Sequence, residues 1–210
     1  WGAQLELPSG QRLYVFNAHF APVPYQPYQL LRIPYGNAPF IETEEEAIRA
    51  AQAARGGQVD RMLAEVKTAL SEQLPVFITG DFNEPSHLDW TTAVAKAGLC
   101  PLPVQWPTTR TVEAEGFVDT FRSVYPDPVQ HRGLTWTPTT NVDDPDDRHD
   151  RIDFVFARGS KLKVRSASVV GEAGTFADII VTPYPSDHRA VVAEVELLAN
   201  DAARQDGPAH

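Results

Sequence analysis

Asp81 and Asn83 stand two residues apart in VFITGDFNEP, residues 76–85, just after an apolar β-type run that stops at Gly80. In an extended chain, positions i and i+2 lie on one face. A carboxylate and a carboxamide there project together from the mouth of a sheet, a place where sheet-based enzymes often keep their chemistry. Three further segments repeat the pattern of an apolar strand joined to acidic, amide or imidazole groups. They are FNAHF with Asn17 and His19, RIDFVF with Asp153, and PSDHRAVV with Asp187 and His188. Taken singly, each has a plain structural explanation. His19 can be a hydrogen-bonded core histidine, and Asp81 or Asp187 can cap a turn. Asp153 can be a solvated strand residue or a partner for Arg151. Four such segments in one chain are much harder to explain that way.

The elements that must position these groups are those of a mixed α/β protein. Residues 3–7 and 12–18 read as a hairpin around Pro8-Ser9-Gly10, its second arm aromatic and β-branched. Residues 20–40 hold five prolines and read as a long, stiff loop. A helix starts near Thr43, where Thr43 and Glu46 have capping-box spacing. Ile48, Ala51, Val59, Met62, Leu63, Val66 and Leu70 give it an apolar stripe for packing on a sheet, and Gly56-Gly57 break or kink it. The strand 75–81 follows, then helices in LDWTTAVAKAGL, ending at Gly98, and in GFVDTFRSVY. GLTWTP reads as a short strand or turn. RIDFVFAR, KLKVRSASVV and RAVVAEVELL read as strands. Residues 1–198 are expected to form one domain and 199–210 a mobile tail.

The 210 residues carry 18 Lys and Arg against 28 Asp and Glu, a net charge of −10. That disfavours general nucleic-acid binding, because affinity for a phosphate backbone needs clustered cations. With the single cysteine Cys100 no internal disulfide forms. This suits a soluble cytoplasmic protein and equally a secreted one without disulfides, so the compartment stays open. No run of about 18 apolar residues is present to span a membrane. The chain begins with Trp1 rather than Met, as a fragment or processed form would.

The ordered set NAHF, GDFNEP, TWTP, RIDFVFARG and PSDHRAVV, spread over residues 12–197, resembles the endonuclease/exonuclease/phosphatase superfamily. The resemblance implies a DNase I-like four-layer α/β sandwich, with two mostly antiparallel sheets face to face and helices outside. It also implies a hydrolase of phosphoric esters that uses Mg²⁺ or Mn²⁺ and attacks phosphorus in line with water. On this likeness Asp81 and Asn83 orient the attacking water and hold the phosphate. His188 matches the family histidine that Asp153 pairs with, whether as base or as charged stabiliser of the transition state. His19 matches a histidine on a phosphate oxygen, and Asp187 a carboxylate near the metal.

The likeness has gaps. The family's early Asn in a WN context and metal-ligand Glu in a QE context are absent, and Glu6 is the sole acidic residue before His19. The expectation is that the N-terminal part of the fold lies upstream or on a second chain, and that this chain alone binds Mg²⁺ weakly. Tyr25, Tyr28 and Tyr35 in the loop after His19 can line an apolar or sugar-sized site; Arg32 can meet a phosphate. His87 and Trp90 follow the Asp–Asn pair near the same rim. Arg148, His149 and Arg151 can add positive potential, while Asp143, Asp144, Asp146 and Asp147 form an acidic loop, read as a solvated turn in preference to a Ca²⁺ site. The favoured substrate is a small or lipid-headgroup phosphodiester. A nuclease is the second reading, and a non-catalytic binding domain the third.

Overall fold

The structure, a computed structural model, describes residues 1–198; the tail expected at 199–210 lies outside the described residues. Five strands make the larger sheet: β1 (Gly2–Glu6), β2 (Arg12–His19), β3 (Val76–Asp81), β4 (Val118–Asp119) and β5 (Asp153–Arg158), in the order β1-β2-β3-β5-β4. β2 and β3 run parallel, and the other neighbours in this sheet are antiparallel. The parallel pair requires a long crossover, and residues 20–75 supply it with three helices: α1 (Gln26–Leu31), α2 (Glu44–Ala51) and α3 (Gly57–Ser71). Three short helices lie between β3 and β5: α4 (Thr92–Lys96), α5 (Pro107–Ala114) and α6 (Thr120–Val124). A second sheet, ordered β7-β6-β8, is built from β6 (Leu162–Gly171), β7 (Ile179–Ile180) and β8 (Ala190–Leu197).

Alternation sorts the larger sheet into two faces. Val76 and Ile78 of β3 and Phe154 and Phe156 of β5 pack with Phe82 and with Val59, Leu63 and Val66 of α3. The intervening residues, Thr79, Asp81, Asp153 and Val155, therefore face away from that helix. Phe121 of α6 packs on Ala167 and Val169 of the second sheet.

The Thr43 capping box forms as expected. The apolar stripe behind it divides. Ala51 belongs with Trp90 and Trp106, and Ile48 packs against that cluster, while the residues of α3 cover the sheet. A π-helical turn over Gln52–Gly56 separates the two stretches and shifts the helical phase. The kink expected at Gly56-Gly57 is this turn. The loop expected over 20–40 contains α1, which Pro27 can open because a first-turn N–H has no helical partner. The helix expected across LDWTTAVAKAGL is confined to α4, with Gly98 past its end at φ +73. α5 and β7 had no counterpart in the sequence reading.

Candidate active site

Strand register aligns the first three groups. His19 pairs across from Asp81, and Asp81 from Asp153, so β2, β3 and β5 each end on one polar residue of a single row. Gly80 allows this close spacing. Its φ is +134, and a Cβ there would sit 1.8 Å from the Ala18 carbonyl oxygen.

Asn83 lies beyond the strand with φ +49, so it reaches Asp81 through a turn and not by alternation along an extended chain. Its backbone N–H donates to Asp81 Oδ1 at 2.7 Å and its side-chain amide to Oδ2 at 2.9 Å. The amide also donates to the Phe20 carbonyl, tying the strand end to the neighbouring loop. Asp81 Oδ2 is the focus of the site, with His19 Nε2 at 3.4 Å and His188 Nε2 at 3.9 Å. Burial, and next the charge of Asp153, push the Asp81 carboxyl up to about 6 against these stabilising neighbours.

His188 Nδ1 lies 2.9 Å from Asp153 Oδ2. That contact orients the ring and leaves Nε2 turned to Asp81. Burial lowers the affinity of His188 for its proton, but the hydrogen bond and charge of Asp153, helped by Asp81 and Asp187, outweigh it and raise the pKa. The TWTP segment clamps both partners. Thr135 Oγ1 accepts from the N–H groups of Ile152 and Asp153, and Thr137 Oγ1 donates to the Asp187 carbonyl. The Trp136 ring meets the His188 ring edge-on at 4.8 Å.

These groups open into a cleft of about 360 Å³ lined by His19, Pro22, Tyr25, Tyr28, Tyr35, Asp81, Asn83, Trp136, Ile152 and His188. Of the expected substrate contacts, Tyr25 and Tyr28 are in its wall. Tyr25 is buried and donates to Asp150 at 2.9 Å; Tyr28 donates to Asp147. Burial first, and then these acidic neighbours, hold both phenols above their ordinary pKa, so they remain protonated donors.

Arg32 and His87 do not reach the cleft. Arg32 is the left-handed residue closing α1; it pairs at 2.5 Å with Glu42 and lies over Phe40. His87 is held by Thr109 and, at 3.1 Å, by Glu113 of α5. Asp187 is exposed and outside the cleft wall. Trp90 is buried in the second core cluster and donates to Asp150. Arg148, His149 and Arg151 add no positive rim. Arg148 pairs with Asp150, His149 is buried, and Arg151 is buried between Asp89 and Asp119.

Sequence reasoning missed the scaffold under the site. Arg55, fully buried in the π-helical turn, donates Nε to Glu84 at 3.0 Å and Nη1 to the carbonyls of Ala21 and Pro24, and also bonds Gln26. Glu84 in turn accepts from the Thr108 N–H. Asp147, read as part of a solvated acidic turn, instead accepts from Tyr28, Trp136 and Thr140. Trp136 itself was visible only as the aromatic residue of TWTP.

Asp81, Asp153 and His188 place one potential ligand atom each within 4.8 Å of one another. Two carboxylates and an imidazole are a donor set that suits a divalent cation.

Two sheets flanked by helices, with this carboxylate–imidazole row at one sheet mouth, define a DNase I-like fold. The chain belongs to the Endonuclease/Exonuclease/phosphatase family, whose sequence profile matches residues 13–188. Its members are generally hydrolases of phosphoester bonds. The chain is 31% identical to the uncharacterized protein F14F9.5 of Caenorhabditis elegans, covering 94% of this chain and 64% of that one. An endonuclease/exonuclease/phosphatase from Bacteroides vulgatus shares the fold with a TM-score of 0.51 at 18% identity, over 94% of this chain and 54% of the other. A second, from Beutenbergia cavernae, matches with a TM-score of 0.50 at 19% identity, over 93% and 38%. The chain thus spans less than two thirds of each of these relatives. Among the described residues no helix is long and apolar enough to cross a membrane.

Proposed function

We propose that this chain carries the catalytic row of a phosphodiesterase acting on a small or lipid-headgroup substrate, by in-line attack of water on phosphorus. The observation that carries the reading is the in-register row His19–Asp81–Asp153 with His188 Nε2 turned toward Asp81. Asp81 accepts the proton of the attacking water. Its carboxylate is held still by the Asn83 amide and N–H, so the acceptor is oriented before substrate arrives. His19 holds a phosphate oxygen, whereas both N–H groups of the Asn83 amide are engaged by Asp81 and the Phe20 carbonyl, which makes Asn83 the residue that orients the acceptor. His188, fixed by Asp153, presents Nε2 to the charge that builds on phosphorus.

A bound Mg²⁺ or Mn²⁺ would neutralise developing charge on the phosphoryl oxygens. Of these grouped donors the Asp81 and Asp153 carboxylates would hold it, because His188 Nε2 faces the phosphoryl group. Two protein carboxylates leave a hard cation dependent on substrate and water oxygens, so the free chain binds Mg²⁺ weakly, and Asp187 adds at most a distant charge.

Among the described residues no Lys or Arg lines the cleft. This favours a small ester over a polynucleotide, whose backbone affinity rests on such cations. A nuclease is the second reading, because Tyr28, Tyr35 and Trp136 offer rings on which a base can stack.

The test is Mg²⁺-dependent release of nitrophenol from bis(p-nitrophenyl) phosphate, with His188→Ala as control. Activity that falls about 10²- to 10⁴-fold in the variant, the range for a positioned acid–base group, supports the reading. Equal activity in both proteins refutes the assignment of His188. No turnover of this ester or of single-stranded DNA favours a binding domain.

A further inference from the structure

The aromatic wall has a shape that bears on which ester enters. Tyr25 and Tyr28 meet at 4.9 Å with their planes 88° apart, and Tyr28 and Tyr35 at 5.5 Å and 90°. With Trp136, whose ring meets that of His188, these rings line the cleft. A flat substituent is held best by parallel or offset faces. Mutually perpendicular rings make the corner of a box, which suits a compact, rounded group.

The electrostatics specify the charge of that group. Asp147 lies behind the box. Its carboxylate takes hydrogen bonds from the Tyr28 hydroxyl, the Trp136 indole at 3.3 Å, the Thr140 hydroxyl and the Arg148 backbone N–H. All four donors are neutral groups, so the negative charge behind the rings is not cancelled by a bonded cation. Asp150, behind Tyr25, differs in being paired with Arg148. None of the described residues lining the cleft is a Lys or Arg. Aromatic faces attract cations through the ring quadrupole, and quaternary ammonium groups are bound this way in cages of aromatic rings.

We infer that Tyr25, Tyr28, Tyr35 and Trp136, backed by Asp147, form a subsite for a compact organic cation, such as a quaternary ammonium group, carried on the phosphoester. The inference rests on the phosphodiesterase reading for its ester and on the ring geometry for its cation. Asp147 is a positioning residue here: it fixes Tyr28 and Trp136 and does not touch the ligand.

The experiment compares two esters of one shape. p-Nitrophenyl phosphorylcholine carries the cation, and p-nitrophenyl 3,3-dimethylbutyl phosphate replaces its nitrogen with carbon. The expected result is a higher kcat/KM for the choline ester, by about 2- to 30-fold for each ring that contacts the cation. Tyr35→Leu lowers this ratio toward one, whereas Tyr35→Phe keeps it; Tyr35 is half-exposed, so neither change threatens the fold. Asp147→Asn, which can still accept hydrogen bonds, lowers the ratio through loss of charge. In parallel, the Trp136 indole resonance is followed by NMR as tetramethylammonium chloride is added, with Trp136→Phe to identify it. Saturable shifts are expected, and sodium chloride at equal ionic strength produces none. A ratio of one or below, or preference for the flat bis(p-nitrophenyl) ester, overturns the cation subsite and leaves the hydrolase reading intact. If neither ester turns over, the hydrolase reading falls, and the titration alone decides the cage: saturable shifts sustain it, and their absence overturns it.

Discussion

Arg55 is the residue whose removal tests the scaffold most directly. Its side chain and that of Glu84 are both fully buried, and the pair joins the π-helical turn to the loop that follows Asp81. Replacing Arg55 with Met preserves much of the volume but leaves the Glu84 carboxylate buried with only the Thr108 N–H. Breaking a buried pair from one side costs about 3–5 kcal/mol, because the remaining charge has no compensation. The Ala21 and Pro24 carbonyls lose their donor as well. The assay is urea unfolding followed by tryptophan fluorescence. With m of about 2–3 kcal/mol/M, the midpoint moves down by about 1–2.5 M. The double variant Arg55→Met/Glu84→Gln removes both charges and is expected to recover part of the loss, giving a coupling of about 1–3 kcal/mol. The site should respond before the fold does. Arg55 holds the segment leading to Tyr25 and Tyr28, so kcat/KM falls in the variant at urea concentrations where it is still native. A single-variant loss below about 1 kcal/mol, or strict additivity in the double variant, refutes the reasoning that this pair organises the site.

Gly80→Ala forces a Cβ into the Ala18 carbonyl at 1.8 Å and places a side chain at φ +134. The expected outcome is destabilisation of at least about 3 kcal/mol with loss of activity, read by the same unfolding assay; a variant of native stability would mean that β2 and β3 can separate at no cost. Asp89 is buried, and although burial opposes its ionisation, Arg151 and Arg122 hold its carboxyl below the ordinary value of 3.8. Its stabilising contribution is therefore complete above about pH 4 and is lost as pH falls through the lower folded value. Asp89→Asn should lower stability at neutral pH and flatten the decline below pH 4, and an unchanged acid profile would remove Asp89 as its cause. Asp153→Asn removes the charge that orients His188 at 2.9 Å and should cut kcat at least about 10²-fold, with little change in KM; an equal rise in KM would point to a role in binding.

The parts of this architecture that sequence could show are those with a local signature. The apolar run ending at Gly80 marked β3, and the Thr43–Glu46 spacing marked the start of α2. Alternation wrongly joined Asp81 to Asn83, because the strand ends at Asp81 and Asn83 turns with φ +49. Tertiary placement had no such signature. Arg32 and His87 lie near the motifs along the chain but are turned away by Glu42 and by Thr109 with Glu113. Arg55 and Glu84 were unreadable because charged residues are almost never fully buried unless paired, and a partner 29 positions away leaves no spacing rule to follow. The acidic stretch 143–147 has the composition of a solvated turn, but Asp147 was recruited by Tyr28 and Trp136, two aromatic residues from separate segments. The apolar stripe through α2 and α3 divided because a π-helical turn changes the phase without any change in hydrophobic content.

The row His19–Asp81–Asp153 is fixed by backbone pairing, residue against residue, in three neighbouring strands. It therefore behaves as a counting device. One residue inserted into β3 would carry Asp81 to the α3 face and bring an apolar side chain into its place, since a shift of one position exchanges the two faces of a strand. The segments that wall the cleft, residues 20–40 and 134–147, lie outside those strands and carry no such restriction. Changes of loop length can therefore reshape what is bound without moving the groups that act on it, whereas changes of strand length cannot be accommodated at all.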